Sequence, residues 1–212
     1  MRLHIHPPLP GKAAHLEMAP EYRKPDLCKP YPECANHAAV AALLTPVNEG
    51  NSPKELLEWT VLLIRRDTYD GAHSGQISFP GGKAEKTDVN FWGTACREIY
   101  EEVGIKTRNL EKIGALTDLY VPPSNFLVHP FAAVNHSVSA PRPDPTEVVE
   151  YKFVPLKFLN PADAVMLDFE YGKNDVRPAP AWEYEGFTIW GATGMMLAEL
   201  YRLIDTKALG KE

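Results

Sequence analysis

The chain of 212 residues carries no excess of positive charge, since 22 Lys and Arg residues stand against 28 Asp and Glu residues. A formal net charge of −6 argues against a general nucleic-acid surface or an anionic-membrane surface, both of which need clustered cations. Long apolar runs are missing too, and the first twelve residues lack the apolar core of a signal peptide. We therefore expect a cytoplasmic protein that binds neither nucleic acid nor membrane.

Cysteine is scarce: only Cys28, Cys34 and Cys96 occur, and no two of them form a CxxC pair. This spacing argues against a disulfide framework and against a cysteine-rich zinc site. Cys96 falls on the apolar face of a predicted helix, so we expect it to pack in a reducing compartment. His4 and His6 are too few to indicate a metal cluster.

Length and composition indicate a single compact domain, because 44% hydrophobic residues supply a sizeable core. Residues 1–36 are rich in Pro and polar groups, and we expect an N-terminal arm that lies on the domain or on a partner subunit. Residues 37–212 form the predicted domain. Apolar runs over 37–47 and 59–66 predict strands, the second of them buried on both faces. A homodimer is compatible with this organisation.

The second half of the chain alternates between strand and helix patterns. Strands are predicted over 110–122 and 126–135 around a Pro-rich turn, followed by a strand and short helix over 146–159. A hairpin with its turn near Glu185 precedes an amphipathic helix over 191–205. Strands and helices in this mixture indicate an α/β (α+β) domain.

The stretch from Gly75 to Ile105 dominates the functional interpretation, because a turn-rich loop is followed there by a helix that ends at Gly104. At about 100° per residue, one side of the helix is apolar. That side carries Trp92, Ala95, Cys96, Ile99 and Val103, and the opposite side carries Arg97, Glu98, Glu101 and Glu102.

The three glutamates of this helix repel one another, since they are spaced three and four residues apart. A hard divalent cation such as Mg²⁺ or Mn²⁺ removes that repulsion, because it takes carboxylate oxygens as ligands. The alternative is a solvated acidic face in which Arg97 acts as a local ion-pair partner.

The same stretch resembles the Nudix box, G-x5-E-x7-R-E-U-x-E-E-x-G-U, in which U is apolar. The residues from Arg97 to Ile105 match its second half in register, whereas Asp88 replaces the first Glu and one extra residue precedes Arg97. Upstream, residues 62–82 resemble the L-L-T-x-R-[SA]-x3-R-x3-G-x3-F-P-G-G signature of the coenzyme A pyrophosphatase branch of the Nudix hydrolases. Ile64, Asp67 and Gly71 depart from that signature, the last replacing an Arg.

The resemblance implies a Nudix fold, a mixed β-sheet sandwiched between helices. It implies a Mg²⁺- or Mn²⁺-dependent pyrophosphatase that cleaves a nucleoside diphosphate derivative, here coenzyme A or acyl-CoA, to 3′,5′-ADP and (acyl-)4′-phosphopantetheine. The implied metal ligands are Glu98, Glu101, Glu102 and Gly82. The implied catalytic residues are Glu98, Glu101, Glu102, Arg97 and Glu147, with Glu150 as the alternative base. The implied substrate-binding residues are Arg66, Gly75, Phe79, Gly81 and Gly82.

Other functions stay open at this point. Gly71 in place of Arg leaves room for the same chemistry on ADP-ribose, NADH, a dinucleoside polyphosphate or capped RNA. A non-catalytic Nudix-fold ligand sensor is a second alternative, and a plain metal-binding or structural protein is a third. The partner that we expect is a small-molecule nucleotide substrate.

Overall fold

The computed structural model describes residues 3–47, 53–67, 75–136, 140–170, 175–206 and 209–211, and Gly71 therefore lies outside the described residues. The helices are α1 (Gly11–Met18), α2 (Lys24–Leu27), α3 (Pro53–Leu57), α4 (Phe91–Val103) and α5 (Gly191–Asp205). The strands are β1 (Leu3–Ile5), β2 (Asn36–Thr45), β3 (Thr60–Arg66), β4 (Ile77–Ser78), β5 (Gly81–Lys83), β6 (Leu110–Ala115), β7 (Leu119–Val121), β8 (Phe126–Asn135), β9 (Val148–Pro155), β10 (Val165–Glu170), β11 (Val176–Tyr184), β12 (Phe187–Trp190) and β13 (Leu209–Lys211).

The largest sheet has the order β4-β3-β2-β8-β6, with β5 paired to β2, β7 to β8 and β9 to β3. Strands β2 and β8 run parallel, and the other pairs are antiparallel. A mixed sheet of this kind confirms the predicted fold class. A second sheet, β10-β11-β12, includes the predicted hairpin, whose turn falls at Glu185 and Gly186.

Strand β3 shows how the sheet separates two cores. Leu62 and Ile64 belong to the apolar cluster under α4, whereas Val61 and Leu63 belong to the larger cluster on the other face. All four side chains are fully buried, as predicted for a strand covered on both faces. The sheet is therefore covered by α4 on one face and by α5 on the other.

The N-terminal segment packs on the face opposite α4. Helix α1 lies against α5, and Ala14 and Met18 on α1 are buried there. Strand β1 pairs with β13 near the other end of the chain. These contacts place the predicted arm on the domain itself.

Candidate active site

Helix α4 has well-defined ends. The side chain of Asn90 accepts a hydrogen bond from the backbone N–H of Gly93, and Gly104 takes a left-handed conformation with φ of 69° at the other end. Ala95, Ile99 and Val103 are fully buried against the sheet, as the periodicity predicts.

Glu102 does not lie on an exposed acidic face, so the alternative of a solvated acidic face does not describe this residue. Its side chain is fully buried, because the loop around Gly81 covers it. One oxygen, Oε2, accepts a hydrogen bond of 2.7 Å from the Gly81 N–H. The other, Oε1, lies 3.2 Å from Arg66 Nη2 as an ion pair but accepts no hydrogen bond from the described residues.

Burial is the main reason why the pKa of Glu102 rises from its ordinary value of 4.5 to about 8. Arg66 and the Gly81 N–H oppose that rise, while the negative charges of Glu98 and Glu147 add to it. Burial also raises the pKa of Glu98. For both carboxyl groups, the nearby positive charge is therefore too small to offset the effect of burial on the pKa.

Gly81 and Gly82, at the start of β5, form the segment that we call the glycine loop. The backbone there leaves no space for a side chain at either position. Gly81 has φ of 147°, and a Cβ there would lie 2.4 Å from the Ala39 carbonyl oxygen. A Cβ on Gly82 would lie 2.5 Å from the carboxyl carbon of Glu98. The glycines thus let this backbone approach both Glu102 and Glu98.

Arg97 joins three acidic side chains. Its Nη1 donates to Glu98 Oε1 at 2.9 Å and to Glu101 Oε2 at 2.8 Å. Its Nε and Nη2 donate to the two oxygens of Asp88 at 3.0 and 3.1 Å, and Nη2 also donates to the Lys83 carbonyl. A guanidinium fixed in this way holds the two glutamates in place.

Asp88, whose role sequence reasoning left open, fixes the position of Arg97. Its hydrogen bonds from Arg97 lower its pKa well below the ordinary value, and the Glu85 N–H and the Thr94 hydroxyl also donate to it. The extra residue between Asp88 and Arg97 does not prevent the bidentate pair. The signal that pointed to Asp88 was its position five residues beyond Gly82, where the Nudix box has its first Glu.

Arg66 faces Glu102, with 25% of its side chain exposed. Besides the ion pair with Glu102, its Nη1 donates to the Gly81 carbonyl oxygen at 3.1 Å. It therefore links β3 to the glycine loop. Phe79 lies in the larger core with 1% of its surface exposed, so its side chain packs inside the domain and does not line the site. Gly75, with φ of 64°, forms a turn in which its N–H donates to the Asp67 carbonyl.

Glu147 reaches the site on a segment tied to the end of α4. The Glu102 and Val103 carbonyls accept hydrogen bonds from the Asp144 and Arg142 N–H groups, at 3.0 and 2.8 Å. The Glu147 carbonyl in turn accepts from Asp67 N–H at 2.9 Å. Its carboxyl group is exposed, and it has no hydrogen-bond or ion-pair partner within the described ranges.

Glu150 has a different environment. Lys152 Nζ lies 2.9 Å from its Oε1, and Arg65 Nε lies 3.5 Å from its Oε2. The hydrogen bond from Lys152 is the main cause of its lowered pKa. Of the two candidate bases, Glu147 is thus the one whose carboxylate is not neutralised.

The donor chemistry of this site fits a divalent cation. Glu98, Glu101, Glu102 and Glu147 carry four carboxyl groups against the guanidinium groups of Arg66 and Arg97, and Glu102 Oε1 has an unused lone pair. In the part of the chain that is described, Glu98 and Glu101 turn toward Arg97, and no three ligands already surround one point. Glu98 and Glu101 would have to share their oxygens between Arg97 and a cation.

The remaining sequence predictions have simple outcomes. Cys96 is a buried residue of α4, as expected, and Cys28 and Cys34 are exposed. None of the described helices is long and apolar enough to cross a bilayer.

Comparison with known proteins agrees with the geometry. The family model for the NUDIX domain matches residues 35–173. An uncharacterized Nudix hydrolase, NudL, from Pectobacterium atrosepticum is 34% identical over 164 residues, which cover 76% of this chain and 80% of that protein. The NudL protein of Photorhabdus laumondii subsp. laumondii is 31% identical over 166 residues, covering 78% and 84% of the two chains.

Solved structures share the fold at low identity. RenU, a Nudix hydrolase from M. smegmatis, superposes with a TM-score of 0.50 and 18% identity, covering 82% of this chain and 86% of RenU. The MutT protein from Methanosarcina mazei Go1 gives the same TM-score and identity, with 84% and 97% covered. Together with the family match, these findings show that the chain belongs to the Nudix family and is a hydrolase that acts on pyrophosphate bonds.

Proposed function

We propose that the protein is a Mg²⁺- or Mn²⁺-dependent pyrophosphatase that cleaves coenzyme A or acyl-CoA. The products are 3′,5′-ADP and 4′-phosphopantetheine or its acyl derivative. The observation that carries the catalytic part is the turn of α4 with Glu98, Glu101 and Glu102, where Glu98 and Glu102 lie against Gly82 and Gly81. The likeness of residues 62–82 to the coenzyme A branch supports the choice of substrate.

The chain's own residues prepare the site for a diphosphate. Arg97, fixed by Asp88, holds Glu98 and Glu101, while Arg66 and the Gly81 N–H hold Glu102. Glu98, Glu101 and Glu102, with the Gly82 carbonyl, would bind the cation. A bound divalent cation would supply neutralisation of phosphate charge and a lower pKa for the attacking water.

Glu147 is the general base in this proposal. One water attacks a phosphorus of the diphosphate, the bridging P–O bond breaks, and Glu147 takes the proton that the water loses. The exposed, unpaired carboxylate of Glu147 supports this role, whereas Lys152 and Arg65 stabilise the ionised form of Glu150. Glu147→Gln should lower kcat by about a hundredfold or more, and Glu150→Gln should lower it much less. Equal losses in the two variants would contradict the assignment.

A substrate panel tests the function directly. Coenzyme A, acyl-CoA, ADP-ribose, NADH and diadenosine polyphosphates are incubated with Mg²⁺ or Mn²⁺, and products are separated by chromatography. We expect the highest kcat/KM for coenzyme A or acyl-CoA, with 3′,5′-ADP and 4′-phosphopantetheine or its acyl derivative as products. Faster cleavage of another compound would show that the same reaction takes place on that substrate instead. Tight binding without turnover of any compound would identify a sensor.

A further inference from the structure

Strand β9 forms one edge of the large sheet, and among the described residues its only partner strand is β3. The Leu156 N–H, at the end of that ladder, donates to the Trp59 carbonyl at 2.9 Å. Because hydrogen-bonded pairs alternate along an antiparallel ladder, the main-chain groups of Val154, Lys152 and Glu150 also point toward β3. The main-chain groups of the residues between them point away from the sheet.

Tyr151 and Phe153 are two of these outward residues. Their N–H and C=O groups have no hydrogen-bond partner within the described ranges. Both side chains are half-buried on the α4 face, with ring centroids 6.0 Å apart, and Val149 at the start of the row is 59% exposed. A strand edge with free backbone groups and apolar side chains is a template for pairing with another strand.

The charges of β9 select the strand that fits this edge. Glu150 and Lys152 flank Tyr151, and their side chains are 42% and 20% exposed. If two copies of β9 pair antiparallel about a twofold axis at Tyr151, Glu150 of each copy lies opposite Lys152 of the other, in positions where side chains come closest. Moving the axis by one residue would place Glu150 opposite Glu150 or Lys152 opposite Lys152. Strand β10, at the edge of the small sheet, has Asp168 and Glu170 but no basic residue to make such pairs.

We propose that two copies of this chain pair through β9, in antiparallel register about Tyr151, and so join their large sheets into one. The outward groups of Tyr151 then bond to those of Tyr151 in the second copy, and Phe153 of each copy faces Val149 of the other. Pro155 ends the pairing, because it has no N–H to donate. A contact of about five residues per strand falls below the roughly 1,200 Å² of a stable complex, so we expect a dimer that dissociates in the micromolar range.

Charge-reversal variants test this contact, with sedimentation equilibrium of the full chain as the measurement. Glu150→Lys and Lys152→Glu each place like charges opposite one another, so each should raise the dissociation constant of the dimer by about tenfold or more. The double variant Glu150→Lys/Lys152→Glu restores opposite charges and should dimerise like the wild type. An equimolar mixture of the two single variants should form a heterodimer, because one carries two lysines and the other two glutamates at these positions. Asp168→Lys on β10 is the matched control and should leave the dissociation constant unchanged.

Hydrogen exchange of the wild-type protein tests the same contact without any substitution. The amides of Tyr151 and Phe153 should exchange more slowly when the protein concentration rises above the dissociation constant, because pairing protects them. Exchange that does not depend on concentration would overturn the inference, and so would a wild-type chain that stays monomeric. A dimer that the single variants leave intact, or single variants that fail to associate when mixed, would also contradict it. None of these measurements depends on hydrolysis, so their outcome is separate from that of the proposed function.

Discussion

Two glutamates, Glu102 on α4 and Glu199 on α5, are both fully buried, but they differ in the number of hydrogen bonds that they accept. Glu199 accepts from His15 Nε2 at 2.9 Å, from the Thr117 hydroxyl at 2.7 Å and from the Thr117 and Gly11 N–H groups at 3.1 to 3.3 Å. Burial alone would raise the pKa of Glu199, but the hydrogen bonds from His15 and Thr117 outweigh it, and the pKa is lowered.

Fewer hydrogen bonds offset the burial of the Glu102 carboxylate. It has one N–H donor and one ion-pair partner, and it lies near the charges of Glu98 and Glu147, so its pKa is raised to about 8. A buried carboxylate with enough donors fastens one element to another, here α1 to α5. A buried carboxylate with too few donors costs stability, and such sites are typical of function.

The same substitution at the two positions should therefore have opposite consequences, and the largest is on turnover. Glu102→Gln removes a charge that the cation needs, and we expect kcat to fall roughly a thousandfold. The metal-free variant should be at least as stable as the wild type, because glutamine has no charge to bury. If Glu102→Gln keeps the wild-type kcat with Mg²⁺, or if it does not fold, the proposed difference between the two glutamates is wrong.

Glu199→Gln should act on stability instead. The amide cannot accept all four hydrogen bonds, and its NH₂ faces donors, so the free energy of unfolding should fall by about 3 kcal/mol. Urea denaturation measures that loss, and kcat below the unfolding transition serves as the control. A large loss of kcat in the folded variant would show that α5 contributes to the chemistry.

The pH dependence of stability sharpens the comparison further, with a smaller effect. Without metal, the stability that neutral Glu102 contributes is complete below pH 4.5 and declines as pH rises toward about 8, because the unfolded chain ionises first. Glu199 has the opposite sign: its contribution is present above pH 4.5 and declines as pH falls through its lowered pKa.

Urea midpoints in EDTA from pH 4 to 9 give the measurement. The difference between Glu102→Gln and the wild type should grow as pH rises through this range. Mg²⁺ or Mn²⁺ should abolish that growth, because a cation favours the ionised carboxylate. A difference that does not vary with pH would contradict the raised pKa.

Much of the site could be predicted from the sequence because its parts are local. The buried side of α4 follows from apolar periodicity and its end from Gly104, and the closeness of three glutamates follows from helical spacing. Strand β3 was recognisable from an apolar run buried on both faces.

What was missed depends on contacts between distant segments. Periodicity placed Glu102 opposite the apolar side, but it does not show that a segment from another part of the chain buries it. The pairing of Arg97 with Asp88, and the choice between Glu147 and Glu150, depend on which side chains the folded loops bring close. Phe79 belongs to a motif that indicated substrate binding, yet it packs in the core.

The sequence by itself determined the family, the elements and the set of acids, since motifs and periodicity act over a few neighbouring residues. Only the tertiary structure decided how many donors each buried carboxylate receives, because those donors come from residues far apart in the chain. Helical spacing says nothing of whether a glutamate meets a glycine loop, as Glu102 does, or a threonine and a histidine, as Glu199 does. That difference in surroundings separates the carboxylate that we propose as a cation ligand from the one that joins α1 to α5.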